Sequence, residues 1–307
     1  MSEIRTRIDR LSPERRKLLE KMISQRSPEP EPSPQEVPAP PHSLSPTAGK
    51  EDTKTACRRM YDEINRQLDV GMFGEFSFFL NYGYVPDLSP QFAAVAVPEH
   101  YLNRNSVRLV LELIGDCPVD GRRVLDVGCG RGGIPHVLMQ FFRPASVVGL
   151  DLSSAAIAFC RRVHDDPRMR FEVGDSENLP FVAESFDIVA NLESSSCYPD
   201  VLAFYREVHR VLAPGGHFLY SDCLPANRFQ DATVYLEEMG LRVERDRDIT
   251  SNVLLSCDEI ARQRVQAYGG ASPELETFLG TPGSPYYEDM RTGRWTYRIL
   301  QLAKQKA

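Results

Sequence analysis

Val124-Leu125-Asp126-Val127-Gly128-Cys129-Gly130-Arg131-Gly132-Gly133 is a short apolar run that ends in an acid and breaks into glycines, after which Ile134 to Phe142 continues with helical periodicity. The stretch reads as strand, tight turn and helix. Gly128, Gly130 and Gly133 fit the G-x-G-x-x-G spacing. There, missing side chains let the backbone turn sharply and approach a nucleotide-like ligand.

The next stretch outward is Ser146-Val147-Val148-Gly149-Leu150-Asp151, a second apolar strand ending in an acid. It lies roughly 20 residues beyond the glycines, where a carboxylate can accept both hydroxyls of a ribose. An adenosine ligand is therefore favoured. Asp126 sits ahead of the glycines, where its charge would repel a pyrophosphate but suit the ammonium and sulfonium of S-adenosylmethionine. S-adenosylmethionine is preferred to a dinucleotide on that ground.

Further along, helices and strands alternate. His100 to Leu113 reads as a helix leading into the first strand, and Ser153 caps a helix running to Val163. Arg168 to Val173, Ser185 to Ala190 and His217 to Tyr220 read as strands three to five, with a helix from Asp200 to Leu212 and a turn at Ala213-Pro214-Gly215-Gly216. A helix from Arg228 to Met239, a sixth strand around Leu241 to Ile249, helices near Asp258 to Tyr268 and Pro273 to Leu279, and a closing strand at Trp295 to Leu302 complete the series. Such alternation marks βαβ units and a parallel sheet covered on both faces.

Ahead of this domain the composition shifts twice. Residues 1–26 place Ile4, Ile8, Leu11, Leu18, Leu19, Met22 and Ile23 at helical spacing, with Ser12-Pro13 as cap and first turn. Ser27 to Lys50 carries eight prolines among Glu, Ser and Ala, a composition unable to bury enough apolar surface to order itself. Residues 27–55 are read as a disordered linker and 56–307 as the main domain. Phe73 to Tyr84 is dense in aromatics, which suits a lid bringing Phe79, Tyr82 and Tyr84 over a ligand.

With 307 residues, 42% of them hydrophobic, the chain can hold one large α/β domain with additions. A net charge of -7 gives no footprint for nucleic acid. Seven scattered cysteines without a C-x-x-C pair argue against a zinc site or a disulfide framework, so no metal is expected. No signal peptide and no apolar stretch of about 20 residues is seen, which points to a cytoplasmic protein without a membrane span.

Val124 to Gly130, Gly149-Leu150-Asp151, Gly174-Asp175-Ser176-Glu177-Asn178-Leu179-Pro180-Phe181, Ser185 to Val189 and Arg210-Val211-Leu212-Ala213-Pro214-Gly215-Gly216 together resemble the class I S-adenosylmethionine-dependent methyltransferases. The resemblance implies a seven-stranded Rossmann-like sheet of order 3-2-1-4-5-7-6, strand 7 antiparallel, with helical lid elements. Asn191 to Pro199, Asn81-Tyr82-Gly83-Tyr84 and Thr292 to Arg298 resemble the O-methyltransferases of polyketide-type natural products, the phthiotriol methyltransferases among them. Leu11 to Leu19 resembles segments bordering domains in polyketide and nonribosomal-peptide assembly lines, which implies a synthase module or carrier protein as partner.

By position the resemblance implies that Gly128 and Gly130 approach the methionine part and Asp126 its amino group. Asp151, with Leu152 beside it, takes the ribose. Asp175 holds the adenine amino group, Ser176 contacts the ring, and Asn191 lines the floor. Ser196 and Tyr198 shape the acceptor pocket.

The methyl of a sulfonium is already activated, so transfer needs a positioned nucleophile, a dry site and removal of any hydroxyl proton. Relatives often place histidine three residues after the glutamate matching Glu193; this chain has Ser196. Glu193 alone is one candidate base, and His100 folding over the site is another. An acceptor that is already acidic would need neither. The expected activity is O-methylation of a hydroxyl or acidic oxygen on a polyketide-like small molecule. The alternatives are a C- or N-methyltransferase and a methyltransferase-like assembly-line scaffold without turnover.

Overall fold

The computed structural model describes residues 50–70, 74, 77–86, 97, 103–267, 276–277 and 279–306, all within the compact unit Glu36–Ala307. Seven strands, β1 (Arg123–Val127), β2 (Ser146–Asp151), β3 (Met169–Val173), β4 (Phe186–Leu192), β5 (Leu212–Pro225), β6 (Leu241–Asp248) and β7 (Trp295–Lys304), form one sheet. Their order is β3-β2-β1-β4-β5-β7-β6. β1 to β5 run parallel, and β7 inserts antiparallel between β5 and β6. This is the class I methyltransferase sheet that the motifs imply.

Alternation along β1 sorts the core. Val124 packs with α2 (Arg104–Ile114) and α3 (Gly133–Phe141) through Val107, Leu109, Ile134 and Val137. Its neighbour Leu125 packs on the opposite face with Phe204 and Val208 of α5 (Val201–Val211) and Leu236 of α6 (Ala226–Glu238). Each such buried side chain stabilises the fold by about 1.5–3 kcal/mol. α4 (Ser154–Val163) starts where expected, because Ser153 Oγ accepts the Ala156 N–H at 3.1 Å. Asp200 does the same for α5 through the Ala203 N–H.

Four boundaries depart from the sequence reading. α1 (Lys50–Val70) begins inside the region read as linker; the last proline before it is Pro46, and Lys54 ties the first turns to Asp175 and Glu177 at 2.7 and 2.6 Å. α7 (Thr250–Ala267) begins well before Asp258, since Asp248 Oδ1 accepts both the Thr250 N–H and its hydroxyl at 2.9 and 2.6 Å. α8 (Pro285–Arg291) was absent from the expected elements and opens with proline at its first position. β5 absorbs Ala213 to Gly216 as an irregularity, with Gly215 at φ 76°. Residues 1–26, the linker up to 49, His100 and most of the expected helix near Pro273 lie outside the described residues.

Candidate active site

The glycine turn is closed by the N–H groups of Gly128 and Cys129, which both donate to Leu150 O at 2.8 and 3.0 Å. Gly128 has φ 73°. A Cβ there would lie 2.3 Å from Ser194 Oγ and 2.8 Å from the Tyr198 hydroxyl. The third glycine has a different task. At Gly133 a Cβ would meet the Phe79 ring at 2.7 Å, so this position lets the aromatic segment close onto α3.

Asp126, next to last in β1, is 1% exposed, and neither carboxylate oxygen has a hydrogen-bond partner. Burial, then the charge of Asp151, pushes its carboxyl well above the usual range. A buried carboxylate left without partners is costly unless a cation completes it. Both Asp126 and Asp151 line the main cavity at the carboxyl ends of the strands. The orphaned acid beside the glycine turn fits the ammonium end of S-adenosylmethionine.

Asp151 is held differently. Its Oδ2 accepts the Gly130 N–H and its Oδ1 the Ser153 N–H, each at 2.8 Å. Burial raises its pKa, and those backbone donors oppose the rise. A carboxylate with about four lone-pair sites keeps capacity for two ribose hydroxyls. Leu152, Asp175 and Ser176 line the same cavity. Asp175 accepts from Lys54 Nζ at 2.7 Å and from the Glu177 N–H at 2.9 Å.

Asn191 is fully buried behind the cavity and does not line it. Its amide donates to Val127 O, Ser194 Oγ and Tyr198 OH at 2.9, 2.7 and 3.0 Å, bracing the glycine turn from below. Arg131, unremarked in the sequence except as a spacer between glycines, has a fully buried side chain. Its guanidinium lies 3.4 Å over the Phe159 ring and reaches Asp69 Oδ1 at 2.9 Å and Gly74 O at 2.8 Å. It thereby fastens α1 to the glycine turn.

The same cavity is lined by the expected Phe79, Tyr82, Glu193, Ser196 and Tyr198, Phe79 and Tyr198 lying next to the glycine turn. Glu193 has φ 50°, and its Oε1 accepts the Tyr82 N–H at 2.8 Å and the Tyr297 hydroxyl at 2.5 Å. Tyr84 departs from the expected lid: it does not line this cavity. Its hydroxyl accepts from Arg247 at 3.1 Å, and Arg247 in turn pairs with the buried Glu112, so the ring is anchored toward β6.

Three residues here were missed. Tyr286 of α8 and Trp295 of β7 stack at 5.1 Å and line the acceptor end. Asp222 of β5 lines the cavity at 2% exposure, with Cys223 beside it. Its Oδ2 accepts the Ser195 hydroxyl at 2.6 Å and the Ser196 N–H at 3.0 Å. Burial, opposed by those donors, raises its carboxyl to about 6. The rule that found Asp126 and Asp151, an acid closing an apolar strand, also picks out Tyr220-Ser221-Asp222.

The family described as "Methyltransferase domain" matches residues 125–220. The chain is 35% identical over 241 residues to a fatty-acid O-methyltransferase of Mycolicibacterium smegmatis, covering 74% of this chain and 83% of that protein. It is 33% identical over 269 residues to a phthiotriol/phenolphthiotriol dimycocerosates methyltransferase of Mycobacterium tuberculosis, covering 86% and 97%. In fold it is similar to geranyl diphosphate C-methyltransferase from Streptomyces coelicolor A3(2), solved with S-adenosyl-L-homocysteine, at TM-score 0.57, 21% identity and 80% and 98% coverage. The chain belongs to the S-adenosylmethionine-dependent methyltransferases, and S-adenosylmethionine is its cofactor.

Proposed function

We propose that the protein is an O-methyltransferase whose acceptor is a hydroxyl or acidic oxygen on an apolar, lipid-like or polyketide-like small molecule. The observation that carries this reading is the pairing of an orphaned acid, Asp126, at one end of the cavity with aromatic walls and a second buried acid, Asp222, at the other. When bound, S-adenosylmethionine would supply an activated methyl on a cationic sulfur. Asp126 would hold the amino end and Asp151 the ribose. Asp175 and Ser176 would stand at the adenine end. Phe79, Tyr82, Tyr286 and Trp295 would strip water from the acceptor and orient it.

The names of the relatives, a fatty-acid O-methyltransferase and a phthiotriol/phenolphthiotriol dimycocerosates methyltransferase, support an oxygen acceptor on an apolar molecule. Asp222 also weakens the scaffold alternative, since a carboxylate meets the backbone of Ser196, where the expected histidine is missing. Among the described residues no helix is long and apolar enough to cross a membrane; a carrier protein bound by residues 1–26 is one route by which an apolar acceptor would be presented. The test is calorimetry with S-adenosylhomocysteine, then methyl-labelled S-adenosylmethionine with long-chain phenols, alcohols and acids. O-methylated product by mass spectrometry is expected. Absence of cofactor binding rejects the proposal, and a methyl on carbon or nitrogen moves it to the rival chemistry.

A further inference from the structure

A buried file of hydroxyls ends on Asp222. The Tyr205 hydroxyl donates to the Tyr220 hydroxyl at 3.2 Å, that hydroxyl meets Ser195 Oγ at 2.7 Å, and Ser195 Oγ donates to Asp222 Oδ2 at 2.6 Å. Tyr220, Tyr205 and Ser195 are 0%, 2% and 4% exposed. Donors aligned this way polarise one another toward the carboxylate at the end. Tyr205 and Ser195 also line a second, mostly apolar cavity that shares Ser196, Tyr198 and Trp295 with the first.

We propose that Asp222 takes the acceptor's hydroxyl proton during methyl transfer, and that Ser195, Tyr220 and Tyr205, whose hydroxyls all donate toward it, hold its carboxylate in place. This rests on the O-methyltransferase reading above. Asp222 Oδ1 accepts the Cys223 N–H at 2.8 Å, which leaves that oxygen a lone pair for an acceptor hydroxyl. As the new O–CH3 bond forms, the C–S bond breaks with its electron pair left on sulfur, and the O–H proton moves to Asp222. The net release is one proton to solvent.

Glu193, by contrast, is a positioning residue. Its Oε1 is committed to Tyr82 and Tyr297, which sews the aromatic segment to β7. The titratable groups that sense the Asp222 charge are Cys197, Cys223, Tyr205, Tyr220 and Tyr297, and each has its own ionisation pushed upward. Burial holds Asp222 at about 6, so it is an ionised base at neutral pH yet close enough to it to accept a proton.

The experiment uses the full chain with S-adenosylhomocysteine or methyl-labelled S-adenosylmethionine and 4-dodecylphenol as acceptor probe. For the wild type, the rate is expected to rise with pH and level off above about 6. Asp222→Asn should lower it about 100-fold or more and remove the break, with cofactor affinity unchanged within about threefold. Tyr220→Phe and Ser195→Ala should keep the break but move it upward, because each removes a donor from the carboxylate's support. Carbon-13 titration of the aspartate carboxyls in the S-adenosylhomocysteine complex reads the same shift without any acceptor. An Asp222→Asn enzyme that keeps a tenth of the rate, or an Asp222 resonance that Tyr220→Phe and Ser195→Ala leave in place, overturns the proposal. Failure of the wild type to bind S-adenosylhomocysteine strikes the underlying function instead, and calorimetry shows which has failed.

Discussion

The two ends of the cavity are built from the same rule and differ in how far apart their parts lie in the chain. The cofactor end gathers the tips of β1, β2 and β3, all between Asp126 and Glu177. The acceptor end gathers Tyr82, Glu193, Asp222, Tyr286 and Trp295 from five separate elements or connections. On the proposed reading the cofactor would be held by local turns and the acceptor by long-range packing. That separation lets the acceptor wall change while the cofactor wall stays fixed.

The sharpest way to break this comparison is Asp126→Asn. Because the carboxylate is buried without partners, the substitution should raise the melting temperature of the cofactor-free protein by a few degrees while weakening S-adenosylhomocysteine about 100-fold, read by scanning calorimetry and titration. A variant that loses stability and keeps affinity would show that the acid serves the fold.

Stability against pH separates the ends next. The Asp222 carboxyl is raised to about 6 by burial, so the folded state binds its proton more tightly than the unfolded chain. Its contribution is fully present below about 4 and is lost as pH rises through about 6, on the order of 3 kcal/mol. Urea midpoints of the wild type and Asp222→Asn should therefore change relative to one another between about pH 4 and pH 6, the wild type losing stability against the variant, and run parallel above that. Gly128→Ala should cost about 2 kcal/mol, from its left-handed φ and its clash with Ser194. Pairing it with Ser194→Gly should recover part of that loss.

Two smaller effects sharpen the acceptor end. Trp295→Ala should raise KM for an apolar acceptor about tenfold with cofactor affinity unchanged, since the ring stacks on Tyr286 in the cavity wall. Glu193→Gln should cost about 1 kcal/mol and lower turnover less than tenfold, because an amide still accepts from Tyr82 and Tyr297. A loss as large as that of Asp222→Asn would return Glu193 to the role of base.

The sheet, its order and the acids at the tips of β1 and β2 were legible because each signal is local. An apolar run, an acid and a glycine fall within ten residues, and Ser153 and Asp200 cap their helices through neighbours three residues on. Asp222 was equally local and was passed over because β5 was read as ending at Tyr220, two residues short of it. Tyr286 was hidden by a different cause: α8 is seven residues long, too short for periodicity to mark. Tyr84 misled because aromatic density gives no direction; its ring turned to Arg247, a partner 163 positions away.

Helix α1 touches every loop that would grip the nucleoside. Lys54 holds the β3 tip at Asp175, Asp62 holds the β2 tip through Ser153 at 2.5 Å, and Asp69 holds the glycine turn through Arg131. One helix pinned at three points couples the three loops, so a substitution at Lys54, Asp62 or Asp69 would be felt by the other two.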